Sequence, residues 1–313
     1  MIISKTPLRI SYAGGGTDLP AYYQRYGGMV ISSTINKYVY VLITKRYDDE
    51  IVVGYSKQEN VVTIDQIEHN LVRECARLVG LKNGFEIKTL SDIPSTGSGL
   101  GSSSAITIGL LNAMHSYMNE QISGPQLAKE ACKIEIDILG NPIGKQDQYA
   151  CAIGGLNIWK FQHDEAVIRD SQDNIKNYGF VLIPTNIAKN SSNILLEQNK
   201  NINNNLENYA KLKNLVLKYP EYSLQELMSK DWEIKKKLSS DICTPEIQNK
   251  IEFLYDQGAD YCKLLGSGGG GHILAYADNY QSFLASMRLA KQKYIEFEFE
   301  NQGSHIIFNQ KDG

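Results

Sequence analysis

Residues 94–105 read PSTGSGLGSSSA, and an apolar run, ITIGLLNAMHSYM (106–118), follows at once. The run predicts a helix, so the Gly/Ser stretch is the loop that opens it. A helix N-terminus presents unpaired N–H groups and the positive end of the helix dipole, and both suit an anion. Glycines ahead of it remove Cβ atoms and let a phosphate approach the backbone. Ser102, Ser103 and Ser104 add hydroxyls for a phosphate or a metal ion. A plain connector can share this composition, so the rest of the chain has to decide. Two common phosphate loops are excluded. Gly97, Gly99 and Gly101 alternate, which is not GxGxxG, and Gly144-Lys145 is followed by Gln146, which breaks GxxxxGK[ST].

Strand signals dominate the first half, at 31–45, 51–55, 61–64 and 85–90. A second helix is predicted from Pro125 to about Leu139, capped by Ser123 or Gly124 and stopped by Gly140-Asn141-Pro142. Residues 141–155 read as a loop or short helix, and strands are expected at 156–161 and 180–184. One helix is expected across 195–216, with its asparagine cluster on a solvated face. Helical patterns cover 221–238 and 245–258. A strand, a glycine turn and a strand occupy 264–277, before a last helix (280–294) and a last strand (304–308). The polar run QHDEAVIRDSQDN (162–174) interrupts the strands. It places a domain boundary between residues 155 and 180. The pattern is α+β with two mixed domains.

With 313 residues, 42% hydrophobic and 21% charged, the chain can bury a sizeable core. A net charge of −3 gives no bulk reason to expect nucleic acid or an anionic membrane as partner. No stretch approaches the roughly 18 apolar residues of a membrane span, and the first residues lack a signal-peptide core. Cys75, Cys132, Cys151, Cys243 and Cys262 form no CxxC pair. Reduced thiols in a cytoplasmic protein are expected. A homo-oligomer is left open.

Two more glycine-rich stretches and two carboxylates complete the candidate chemistry. In PLRISYAGGGTDLPAYY (7–23), a triple glycine precedes Thr17 and Asp18, and Arg9 is the one cation near its start. A tight turn capped by Thr17 or Asp18 also explains it. Gly268–Gly271 are consecutive in a strand-flanked turn, more backbone freedom than a hairpin needs. Glu135 sits among apolar helix neighbours, including Ala128, Ala131, Cys132, Ile138 and Leu139, and is expected to be buried. A buried carboxylate needs a metal ion, a cation or a hydrogen-bond network, and a structural salt bridge would serve. Asp147, in GKQDQYA, is a helix cap or a general base beside a cation.

Together these segments resemble the GHMP kinase family, whose phosphate loop has the form P-x-x-x-G-L-G-S-S-A. Residues 94–105 match it, with a serine in place of one alanine, and the N-terminal and C-terminal glycine stretches match its first and third motifs in order. The resemblance spans nearly the whole chain. It implies an N-terminal ribosomal-S5-like ATP-binding domain (1–165) and a C-terminal ferredoxin-like domain (166–313). It implies ATP and Mg²⁺. Pro94, Gly97, Gly99, Leu100, Gly101, Ser102, Ser103 and Ser104 would form the ATP-binding loop. Ser103 and Glu135 would hold the metal. Asp147 and Arg9 would be catalytic, and Gly16, Thr17, Asp18, Gly268, Gly269 and Gly270 would border the sugar.

The first motif and GNPIGKQDQYACAIGG (140–155) are most similar to the branch acting on anomeric hydroxyls, which includes heptose and fucose kinases. That branch implies D-glycero-D-manno-heptose 7-phosphate as acceptor and the 1,7-bisphosphate as product. The product would feed GDP-heptose for capsule or lipopolysaccharide. A kinase of another sugar and a non-catalytic sugar-binding protein are the alternatives. For the second phosphate, Lys189, Lys263 and Arg25 are candidates. The partners implied are a small sugar phosphate and ATP, with no nucleic acid and no membrane.

Overall fold

The computed structural model describes residues 1–94, 97–162, 165–172, 177, 179–187 and 191–310. Its strands are β1 (Ile2–Ala13), β2 (Gly28–Lys45), β3 (Ile51–Gly54), β4 (Gln58–Val61), β5 (Phe85–Ser91) and β6 (Leu156–Gln162). Then follow β7 (Glu165–Gln172), β8 (Phe180–Pro184), β9 (Tyr261–Leu264), β10 (His272–Tyr276), β11 (Phe299–Glu300) and β12 (His305–Asn309). The helices are α1 (Pro20–Tyr26), α2 (Asn70–Val79), α3 (Ser102–Tyr117), α4 (Gly124–Cys132) and α5 (Gln146–Ile153). They continue as α6 (Ser191–Lys200), α7 (Leu206–Val216), α8 (Leu224–Lys235), α9 (Pro245–Asp256) and α10 (Tyr280–Leu289).

The long β2 organises the larger sheet. β1 pairs with it along one side, while β6 and β5 share its other side, at residues 28–33 and 39–45. The order β12-β1-β2-β5-β3-β4 is antiparallel except for β3 beside β5. α3 packs across β1 and β2, flanked by α2, α4 and α5. Leu8, Ile10, Ile108 and Leu111 are fully buried, and each such side chain removed from water contributes about 1.5–3 kcal/mol. The smaller sheet, β8-β10-β9, packs with α7 to α10 around a second apolar cluster that includes Ile183, Trp232, Ile251 and Phe283.

Several elements depart from expectation for local reasons. The strand expected at 61–64 lies at Gln58–Val61, because Thr63 and Gln66 form a capping box that starts a 3₁₀ turn. The polar run 162–174 contains β7, which pairs antiparallel with β6 instead of ending the strands. An edge strand tolerates polar residues. The single helix expected at 195–216 is broken into α6 and α7 by a 3₁₀ turn at Ile202–Asn205. Asn205 Nδ2 donates to the Asn201 carbonyl, and Asn208 Nδ2 to Asn205 Oδ1, both at 3.3 Å. Such local side-chain bonds compete with the helix. The cluster is not purely a solvated face either, since Asn199 Nδ2 donates to the Pro142 carbonyl at 3.1 Å.

Candidate active site

Six segments meet at one cavity of about 370 Å³. They are β1 with the turn after it, the loop into α3, the turn into α5, α6, the end of α8 and the turn after β9.

The loop into α3 is built for an anion. Gly97, Gly99 and Gly101 have φ of +67°, +77° and +74°, so the alternation is a run of left-handed positions that favour glycine. Gly101 is the N-cap of α3, and no side chain caps the helix. The first-turn N–H groups of Ser102 to Ser104 are therefore left uncapped by any side chain on the cavity wall. Leu100 belongs to the core and has no exposed surface, and its carbonyl accepts from the Arg9 N–H at 3.0 Å. Pro94 is exposed and does not line the cavity, so it starts the loop without bordering the site.

The third glycine stretch serves this loop. A Cβ on Gly99 would lie 2.7 Å from the Leu265 carbonyl oxygen. One on Gly271 would lie 2.7 Å from the Gly97 oxygen. His272 Nδ1 is 2.7 Å from the Ser98 carbonyl oxygen. The expectation that Gly268, Gly269 and Gly270 border the sugar is corrected: none lines the cavity. A Cβ on Gly268 would strike the Ile242 backbone at 2.7 Å, and the Gly269 N–H donates to the Ile242 carbonyl at 3.0 Å. Gly266 and Ser267 take the position on the cavity wall.

Arg9 and Asp147 form a two-pronged ion pair. Nε reaches Oδ1 and Nη2 reaches Oδ2, both at 2.8 Å, and Nη1 donates to the Gly99 carbonyl at 2.7 Å. The Arg9 side chain is 5% exposed and that of Asp147 27%, so the carboxylate is the accessible partner. Gln146 Nε2 donates to Asp147 Oδ1 at 3.1 Å, while Gln146 Oε1 accepts from the Ser11 hydroxyl at 2.7 Å.

Asp18 lines the cavity beside Gly15 and Gly16. Its carboxylate accepts from the Gly16 N–H at 2.9 Å and the Gln146 N–H at 3.1 Å. Burial pushes its pKa up, and the charge of Asp147 adds to the rise. A Cβ on Gly144 would overlap its Oδ2, which explains the glycine there. Thr17, expected at the sugar, is corrected. It is fully buried, and its hydroxyl sits 2.8 Å from the Gly14 and Met29 carbonyls and accepts from the Met29 N–H at 3.0 Å. It fastens the turn to β2.

Glu135 is completely buried, on a π-helical turn (Lys133–Ile138) that continues α4. The wider turn changes which residues share its face: Ile138, expected beside it, is 48% exposed. Three donors meet the carboxylate: Ser103 Oγ at 3.1 Å, Ser104 Oγ at 2.8 Å and Gln148 Nε2 at 2.5 Å. Burial nevertheless holds its pKa above the usual range, and Asp147 adds to this. Ser103 is exposed at the cavity and bonded to Glu135 behind it. Hydroxyl and carboxylate oxygens suit a hard cation such as Mg²⁺. The buried Gln148 Oε1 has no hydrogen-bond partner, a further oxygen beside that carboxylate. Among the described residues no three His, Cys, Asp or Glu side chains converge as a metal cage. An ion here would take its remaining ligands from phosphate and water.

Of the cations considered for a second phosphate, Lys263 is buried in an ion pair with Asp231 (2.6 Å), Arg25 is exposed on α1, and Lys189 lies outside the described residues. Ser11, Gln146, Gln198 and Lys235 line the cavity without having been singled out in the sequence. Ser11 and Gln146 lie inside the quoted stretches 7–23 and 140–155, where Arg9 and Asp147 draw the eye first, while Gln198 and Lys235 come from helix faces that carry no motif.

Residues 70–155 match the family described as GHMP kinases N terminal domain, and residues 221–285 match GHMP kinases C terminal. The chain is 30% identical, over 96% of its length and 97% of the relative's, to D-glycero-alpha-D-manno-heptose 7-phosphate kinase from Campylobacter jejuni. It is 25% identical to the L-fucokinase/L-fucose-1-P guanylyltransferase of Bacteroides fragilis, over 98% of this chain but 38% of that one. Its fold is similar to the crystal structure of a D-glycero-D-manno-heptose 1-phosphate kinase from Bacteroides thetaiotaomicron (TM-score 0.77, 24% identity, covering 99% and 100% of the two chains). It is also similar to Streptococcus pneumoniae phosphomevalonate kinase with phosphomevalonate and AMPPNP (TM-score 0.78, 17% identity, covering 96% and 100%).

Proposed function

The chain belongs to the GHMP kinase family, and from that premise we propose that it phosphorylates the anomeric hydroxyl of D-glycero-D-manno-heptose 7-phosphate with MgATP. The observation that carries this reading is the Arg9–Asp147 pair, open to the same cavity as the loop of Gly97 to Ser104. The 96% coverage by a heptose 7-phosphate kinase supports the choice of acceptor. The fucokinase likeness supports the choice of hydroxyl.

In this reading the N–H groups of the loop and of the first turn of α3 bind the triphosphate. Ser103 and Glu135 would hold Mg²⁺, which when bound offsets charge on the phosphates. Asp147 takes the proton of the attacking hydroxyl. Arg9 fixes the orientation of that carboxylate by its planar fork and offsets charge that develops nearby. Asp18 and Gln146 orient neighbouring sugar hydroxyls. Catalysis of this kind is mostly positioning and electrostatics. Residues 1–165 would supply the nucleotide side, with β7, β11 and β12 added because they pair with β6, β2 and β1. The rest of the chain would close the sugar side. The product would feed GDP-heptose for capsule or lipopolysaccharide, in the cytoplasm.

ADP release with MgATP over a sugar panel tests the reading. Turnover with the heptose 7-phosphate and not with fucose, galactose or mevalonate is expected. Turnover only with an unphosphorylated sugar overturns the acceptor assignment, and no turnover with any of them overturns the reading as a whole.

A further inference from the structure

The proposed acceptor has two ends, and the Arg9–Asp147 pair accounts for only the reacting one. A phosphomonoester at the far end of the sugar needs its own cation and donors. Among the described residues lining the cavity, Lys235 is the one cation besides Arg9. It ends α8, and the residue is 6% exposed. Its ammonium donates to the Gly266 carbonyl at 2.6 Å, which fixes it against the turn after β9.

Two observations beside it point to a ligand. The Ser267 hydroxyl, on the same wall, is buried and has no hydrogen-bond partner. A buried hydroxyl without a partner costs stability unless something accepts from it. The Ser267 carbonyl is already taken by Gln198 Nε2 at 3.0 Å, so the segment is held while its hydroxyl stays unpartnered. The position relative to the reacting end also fits. A point at the Cβ position of Gly15 lies 3.7 Å from Lys235 Nζ and 3.4 Å from Ser11 Oγ. Ser11 leads through Gln146 to Asp147. The ammonium thus lies at the Gly15 turn, linked to the Asp147 end only through Ser11 and Gln146.

We propose that Lys235 and the Ser267 hydroxyl form the subsite that recognises a phosphate on the sugar carbon remote from the reacting hydroxyl. This rests on the sugar-kinase reading above and adds the residues that select a phosphorylated sugar over a free one. A lysine suits the task as a point charge with three donors on one nitrogen. Ser267 adds a neutral donor with a fixed direction.

The test is the preference ratio, kcat/KM for the heptose 7-phosphate divided by kcat/KM for the same heptose without phosphate. It is measured for the full chain and for K235M, K235R and S267A. The expected result is a ratio at least tenfold lower in K235M, with the loss in KM for the phosphorylated sugar, and a smaller fall in S267A. K235R keeps most of the preference. S267A removes one oxygen and leaves the Gly266 carbonyl contact of Lys235 in place, so it reports even where K235M does not fold. A loss in K235M that is equal on both sugars, or an unchanged ratio in S267A, overturns the subsite assignment and leaves the kinase reading standing. A ratio near one in the unaltered protein overturns the phosphorylated acceptor itself.

Discussion

The guanidinium of Arg9 spans both carboxylate oxygens of Asp147 at 2.8 Å, while its third nitrogen holds the Gly99 carbonyl. One side chain therefore couples the proposed base to the phosphate loop. D147N keeps an acceptor for Arg9 but has no charge to take up a proton. Its kcat is expected to fall by about 10²–10⁴-fold. R9K replaces the fork with a point charge, and the loss of a charge-assisted bond worth about 1.5–3 kcal/mol corresponds to about a 10–100-fold fall in kcat. Steady-state kinetics with the sugar that turns over check both. Full activity in a folded D147N removes Asp147 from the proton-transfer role.

Glu135 makes a prediction that does not depend on turnover. Burial raises its folded pKa, only partly opposed by Gln148, Ser104 and Ser103. A carboxyl whose folded pKa lies above its unfolded value costs stability as pH rises past about 4.3, where the unfolded chain ionises. At neutral pH the metal-free protein carries this penalty, and E135Q removes it. Metal-free E135Q should melt above the unaltered protein at pH 7, by about 2 °C or more for each kcal/mol. Mg²⁺ with a nonhydrolysable ATP analogue should raise the Tm of the unaltered protein more than that of E135Q. Equal shifts in both would remove Glu135 from the metal site.

How far the sequence carries differs from one residue to the next. The burial of Glu135 is legible because Ala128, Ala131 and Cys132 precede it at helical spacing. The π turn that follows is not, because periodicity at 3.6 residues has no way to signal a wider turn. The alternating glycines announce a backbone that a phosphate can approach, but not the left-handed conformation that each of them takes. The run Gly268–Gly271 announces close approach but not what is approached, which proves to be Ile242 and the phosphate loop. Lys235 is hidden in the run Lys235-Lys236-Lys237, whose composition reads as a solvated helix end. Only packing against Gly266 sets the first lysine apart. β7 is not legible because a polar edge strand has the composition of a linker.

Thr17 separates a turn fastener from a sugar contact. Its hydroxyl has one proton for two carbonyls and takes the Met29 N–H in return. T17V keeps the shape and leaves the Met29 N–H without its hydroxyl acceptor, which should cost about 1–3 kcal/mol. A lower denaturant midpoint is the expected outcome. A raised KM for the sugar with an unchanged midpoint would return Thr17 to the sugar site.

His115 lies far along α3 from the loop and is buried between two acids. Nδ1 is 2.6 Å from Glu120 and Nε2 2.8 Å from Glu130, and Gln126 holds the other oxygen of Glu130 at 2.9 Å. Burial opposes the charge on the ring, but the bonds to Glu130 and Glu120 outweigh it, and the pKa is raised. A histidine with a raised folded pKa adds stability that is fully present below its unfolded value of about 6.5. That stability fades as pH rises through the folded value. The Glu130 arm should matter more, because that side chain is 14% exposed against 53% for Glu120. H115Q removes the charge and keeps the shape of the contact. The difference in Tm between the unaltered protein and H115Q should therefore be largest near about pH 6 and shrink as pH rises above the unfolded value. A difference that stays constant from acid to alkaline pH would mean that the ring is held neutral between the two acids.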